Sequence, residues 1–159
     1  LAPSTGKVRT MQKKSSRRHD SLIPLSREHH YGLMLCLRIH KGLPLHGDDE
    51  TWVREQAARA WQFFANEIGH HFKAEEGVLF PAIKGFAGEC ELLSELLSEH
   101  RKLEVLGDQL SGNDVQQLVY ALGEFADLLE AHIRKEEREL FPLYERLVTG
   151  DVSMEVGSV

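Results

Sequence analysis

Cysteine is almost missing from this chain: Cys36 and Cys90 are the only two in 159 residues. Two thiols make neither a disulfide framework nor a cysteine-based zinc site, so a reducing, cytoplasmic setting is expected. Proline and glycine, at 5 and 13 residues, are not enriched, which argues against a low-complexity or disordered chain. No apolar run approaches the roughly 20 residues of a membrane helix, and no apolar segment follows the basic start. Neither a membrane span nor a secretory leader is therefore expected. Strand-like alternation is missing throughout. So are a P-loop, a G-x-G-x-x-G turn and a serine nucleophile elbow, the common marks of nucleotide binding and acyl transfer.

What is present is an ordinary globular composition, 42% hydrophobic and 28% charged, in a length that suits one domain with its own core. The net charge of −6 is unevenly spread. Residues 1–20 carry six Lys/Arg and one acid, a net +5, which leaves −11 for the rest. An acidic body argues against nucleic-acid binding by the domain. The basic stretch lacks aromatic residues and reads as a flexible tail. Met11 is a candidate native start within it. The expected organisation is a tail over 1–20, a helical domain over 21–149 and a flexible end over 150–159.

Four segments follow the helical period. The first begins after Pro24, with Ser26 as its cap, and runs to Lys41, with Gly42, Pro44 and Gly47 forming a loop. The second runs from Glu50 to Phe80, where Pro81 stops it, and 84–88 is the next connection. The third spans 89–110 and ends at Ser111-Gly112. The fourth starts at Asn113, with Gln116 in the capping-box position. It runs to Leu140, where Pro142 ends or kinks it, and a last turn continues to Val148. Four helices with short connections predict an all-α, antiparallel up-down-up-down four-helix bundle.

The chain also repeats itself. His71-Phe-Lys-Ala-Glu75-Glu76-Gly-Val-Leu79-Phe80-Pro81 matches His132-Ile-Arg-Lys-Glu136-Glu137-Arg-Glu-Leu140-Phe141-Pro142 at the His, both Glu, Leu, Phe and Pro. Glu28-His29 and Glu99-His100 echo each other on the preceding helices.

These polar residues fall on the apolar stripes. The second stripe reads Trp61, Phe64, Ile68, His71, Glu75, Val78, and the fourth Leu118, Leu122, Phe125, Leu129, His132, Glu136. The third reads Leu93, Leu96, His100, Leu103, Gly107, Leu110, and the first Leu25, His29, Leu33, Cys36. His29 is preferred to His30 because Glu28-His29 mirrors Glu99-His100. Burying four histidines and two glutamates without partners would cost several kcal/mol. Divalent metal is the natural compensation, since imidazole and carboxylate are both ligands. Residues i and i+4 stand about 6 Å apart along one helix face. A His and a Glu at that spacing can converge on one metal. Two such pairs can build a two-metal site with the carboxylates bridging, and the other two histidines close it. Glu76 and Glu137 are expected to face solvent or to act behind the ligands.

On these residues the chain resembles the hemerythrin family in its HHE cation-binding form, over roughly 22–148. The resemblance implies a non-haem, carboxylate-bridged di-iron centre, with Mn or Zn as other metals that such ligands accept. Carried over by position, the ligands are His29, His71, Glu75, His100, His132 and Glu136, with Glu75 and Glu136 bridging. Oxygen carriers of that family have H-x-x-x-H on the third helix and H-x-x-x-x-D on the fourth. Here the third helix reads His100-Arg-Lys-Leu-Glu104 and the fourth H-x-x-x-E. A fifth histidine is absent, and Glu104 is a candidate in its place. The implied role is to engage a small ligand such as O2, peroxide or NO for sensing, scavenging or iron storage. Turnover of peroxide or NO, iron donation to damaged clusters and an iron-responsive interaction module are the alternatives. No membrane partner and no catalytic residue are assigned.

Overall fold

A computed structural model describes residues 17–150. Most of the basic tail expected over 1–20, and all but Gly150 of the expected C-terminal end, lie outside the described residues. Four long helical stretches carry the fold, and no strand is found among the described residues. Helix α1 is Ile23–His46, preceded by a 3-10 turn, Asp20–Leu22. Helix α2 starts at Glu50–Phe63 and passes through two π turns, Phe64–Ile68 and Glu75–Leu79, to end in Phe80–Ala87. Helix α3 is Glu91–Gln109. Helix α4 is Val115–Lys135, a π turn Glu136–Leu140, and Phe141–Thr149.

The ends correct several expectations. Helix α1 does not stop at Lys41: Gly42 and Pro44 lie inside it, and its N-cap is Leu22 rather than Ser26. Gly42 is there for closeness, because a Cβ at that position would fall on the Trp52 ring. The cap of α4 is Asp114, not Asn113; its carboxylate accepts from the backbone N–H of Gln116 and Gln117. Asp49 caps α2 in the same way. Both satisfy donors that a helix start leaves orphaned. Pro81 and Pro142 neither stop nor end their helices. Each follows a π turn and occupies the first turn of the next helical piece, where a missing N–H costs nothing.

The π turns also move the buried face. Val78, expected in the stripe of α2, is exposed, and Leu79 is buried instead. Trp61 at the other end is 42% exposed, with Ala57 and Ala60 facing the core. An i→i+5 turn inserts one residue, so positions spaced by four continue the stripe where a three-step would be expected.

Two apolar cores result. One gathers Leu35, Ile39, Phe72, Leu103, Phe125 and Ile133 among others. The second gathers Leu22, Leu79, Phe80, Leu96, Leu140 and Phe141 among others. On every helix the two cores are separated by a buried polar residue: His29 on α1, Glu75 on α2, His100 on α3 and Glu136 on α4. Cys36 belongs to the first core, and burial, helped by Glu130, pushes its thiol up to about 12. It is a packing residue. No helix among the described residues is long and apolar enough to cross a membrane.

Gly42→Ala is expected to destabilise the fold by about 1–3 kcal/mol through overpacking, measured by urea denaturation. Trp52→Ala should cost less in that background than in the parent, because removing the ring makes room for the methyl. Additive costs would show that the Gly42–Trp52 contact does not set the α1–α2 spacing.

Candidate metal centre

The layer between the two cores is polar and almost dry. Glu75 and Glu136 are 0% exposed, and His29, His71, His100 and His132 are all buried. Two groups of donor atoms lie close enough to hold metal ions: His29, His71, Glu75 and Glu136, and Glu75, His100, His132 and Glu136. The two glutamates belong to both groups. Glu75 reaches His71 and His29 with Oε1 and His100 with Oε2, the latter at 3.2 Å from Nε2. Glu136 Oε1 lies 3.1 Å from His29 Nε2 and 3.0 Å from His132 Nε2. Of the residues singled out in the sequence, six meet here. Glu104 does not: it is half-exposed and accepts from Arg101 on the surface. His30 and His70, the neighbours of His29 and His71, are exposed.

Each inward-facing imidazole turns its other nitrogen to a carboxylate. His29 Nδ1 lies 2.8 Å from Glu137, His71 Nδ1 2.6 Å from Glu28, His100 Nδ1 2.9 Å from Glu76, and His132 Nδ1 3.0 Å from Glu99. An ionised carboxylate only accepts, so Nδ1 carries the proton and Nε2 points its remaining valence into the site. Such outer carboxylates orient metal-binding imidazoles and raise their basicity. Glu76 and Glu137 therefore stand behind His100 and His29, on the side away from the buried glutamates. Glu28 and Glu99 were missed as partners. The signal for them was in the sequence: each directly precedes a histidine of the site, in both copies of the repeat. Aromatic rings hold the imidazole planes. Phe72 stacks on His100 at 3.7 Å, and Phe141 on His29 at 5.1 Å.

The electrostatics fit a bound cation. Glu75 and Glu136 are a coupled pair in one dry space. Burial, then the nearby Glu136 charge, raises Glu75 above the ordinary carboxylate range. Burial opposes ionisation of Glu136 as well, but the adjoining Glu75 carboxyl and the His132 and His29 imidazoles outweigh it and hold Glu136 well below that range. Burial works against a charged His132, yet the Glu136 carboxylate, followed by Glu99 and Glu75, lifts it to about 9. His71 is raised well above its usual value against the same burial cost, by Glu136, Glu28 and Glu75.

Even so, both Glu75 oxygens, Glu136 Oε2, His100 Nε2 and His132 Nε2 make no hydrogen bond, although His100 lies 3.2 Å from Glu75 and His132 3.0 Å from Glu136. In each group the donor atoms nevertheless lie within 4.8 Å of one another. His29 and His71 bring their Nε2 atoms to 3.0 Å. Two lone pairs at that separation repel unless a proton or a metal lies between. The donor set therefore fits divalent metal.

Four imidazoles and two shared carboxylates inside a helical bundle define a class: helical domains whose buried His/Glu groups can hold metal. The chain matches the family described as Hemerythrin HHE cation binding domain over residues 24–144, and it belongs to that family. No curated protein and no solved structure matches it.

With no metal bound, the raised histidines tie stability to pH. His132 gains protons on folding, since about 9 in the fold exceeds its ordinary 6.5. The stability it contributes is complete below about pH 6.5 and is lost as pH rises through 9. The melting temperature of chelator-treated protein should fall across that interval. Metal affinity should rise across it, because metal takes the place of those protons. A flat or rising melting temperature would remove this account of the site.

Proposed function

We propose that this chain is a non-haem di-iron protein that engages a small ligand, O2, peroxide or NO, for sensing, scavenging or iron storage. The observation that carries the reading is the sharing of Glu75 and Glu136 between two groups of donors. Each group then has two imidazoles and two carboxylates, so the two metals would have equivalent surroundings bridged by both glutamates. Histidine with carboxylate is the donor set of non-haem iron with coordination positions left open. Glu104 is not needed and stays with Arg101. Iron bound here would supply a redox-active centre with room for a small ligand. The chain's own residues hold it, orient its imidazoles through Glu28, Glu76, Glu99 and Glu137, and exclude bulk water with the two apolar cores.

The up-down-up-down connectivity belongs to the same reading. On α1 and α3 the second core's residues precede the site and the first core's follow it, as Leu22–His29–Leu35 and Leu96–His100–Leu103. On α2 and α4 the order is reversed, as Phe72–Glu75–Leu79 and Ile133–Glu136–Leu140. Two free cysteines, one of them buried, suit a reducing compartment.

Loaded anaerobically with Fe(II), the protein should hold about two irons per chain, one for each donor group. His71→Ala combined with His132→Ala removes one imidazole from each group and should abolish stoichiometric binding, read by metal analysis after desalting. Full iron retention by the double variant would sink the proposal.

A further inference from the structure

The two halves of the site are related by the repeat, and the departures from that relation are informative. Exchanging the copies turns the Glu28–His71 contact into Glu99–His132, and His29–Glu137 into His100–Glu76. Three of these four outer carboxylates are also clamped from outside. Arg18 holds Glu137 at 2.8 Å, Lys135 holds Glu99 at 2.7 Å, and Arg101 holds Glu76. Among the described residues, no Lys or Arg pairs with Glu28. The reason is a single position: Lys135 precedes Glu136 in the second copy, and Ala74 precedes Glu75 in the first. Two further substitutions sit on the same face. Glu139 and Leu143 of the second copy correspond to Val78 and Ala82 of the first.

Where the clamp is missing the structure has a cavity of about 310 Å³. Its walls include Pro24, Leu25, Glu28, Ala74, Val78, Ala82 and Tyr144, and it opens to solvent, with Pro24, Ala74 and Val78 exposed. Glu28 is 37% exposed at its side chain and accepts from His71 Nδ1. Glu28 thus lines the pocket and contacts His71, one of the four residues of the first donor group. The matching place in the other half is a groove lined by charged residues, among them Glu91, Glu95, Glu99, Lys102 and Lys135.

We propose that this cavity is the port by which an uncharged diatomic gas, O2 or NO, reaches the metal pair from the His29–His71 side, with the unclamped Glu28 as its gate. The inference rests on the metal reading above and deepens it. Apolar walls favour a nonpolar gas over hydrated solutes, since a charged or strongly hydrated molecule would shed water there without a partner. The volume exceeds that of a diatomic molecule, so the cavity is a vestibule rather than a fitted site. A carboxylate held only by one hydrogen bond can swing away, whereas its three counterparts must break an ion pair first.

Two substitutions graft the closed half onto the open one: Ala74→Lys and Ala82→Leu. The first readout needs no metal. Xenon, a nonpolar probe that gathers against apolar walls, should shift the methyl resonances of Ala74, Val78 and Ala82 saturably in the parent chain. Ala82→Leu should abolish that effect. The second readout is NO association with the Fe(II)-loaded protein by stopped flow. Both variants should keep the parent's iron content and slow association by about tenfold or more, within the range over which variants alter on-rates. Absence of xenon shifts in the parent, or parent rates in both variants at parent iron content, would overturn the port. A parent chain that takes up no iron would sink the metal reading instead, while the xenon result would still decide whether the cavity admits an apolar gas.

Discussion

Two carboxylates buried side by side impose the constraint from which the rest of this molecule follows. Glu75 and Glu136 are wholly removed from water, and leaving either charge uncompensated costs several kcal/mol. Compensation is arranged in shells of alternating sign. Around the two glutamates stand four imidazoles; behind these stand Glu28, Glu76, Glu99 and Glu137; behind three of those stand Arg18, Arg101 and Lys135. Each shell offsets charge in the one inside it, completely at three of the four outer carboxylates and by the imidazole alone at Glu28. Apolar residues of similar volume would fill the layer at less cost, so stability alone does not account for a frame of this kind.

The same constraint explains the irregular helices. The second and third π turns of the chain begin at Glu75 and at Glu136. A wider turn there changes the direction of the helix face just past the glutamate, so Leu79 and Leu140 enter the second core directly beneath the site. The prolines six residues after each glutamate fit the widened turn, since the carbonyl four residues before a proline is where its ring would otherwise clash. At these two turns, backbone departure and polar burial coincide at one glutamate each, whereas the first π turn, Phe64–Ile68, buries only Ile68.

This is also where the sequence was easy to read and where it was not. Six buried donors could be found because a polar residue on an apolar stripe is conspicuous, and because the pattern occurs twice. The family followed from the same residues. Proline was misread: taken alone, Pro81 and Pro142 look like stops, and only the π turn before each makes them compatible with a continuing helix. Gly42 and Pro44 looked like a loop for a similar reason, since the contact with Trp52 that calls for a glycine is not visible in one dimension. The caps were displaced by one or a few residues, Asp114 for Asn113 and Leu22 for Ser26, because several polar residues near a helix start compete and tertiary contact decides among them. Ser26 itself donates to Glu137. Glu104 was suggested by a spacing that suits a ligand, but no spacing reveals that Arg101 lies nearer.

A repeat makes the site nearly symmetric, and symmetry alone would give the two donor groups the same exposure. The chain departs from it at positions that do not ligate. Lysine against alanine beside the glutamates, glutamate against valine and leucine against alanine further along leave the donors untouched and alter only what surrounds them. Four imidazoles in matching settings form two donor groups that could hold metal, while one half is closed by an ion pair and the other by a carboxylate with no Lys or Arg partner among the described residues. Holding and admitting are thereby assigned to different residues. Substitutions around Ala74 can change access without disturbing the shells that compensate Glu75 and Glu136, because Ala74 contributes no charge to any of them.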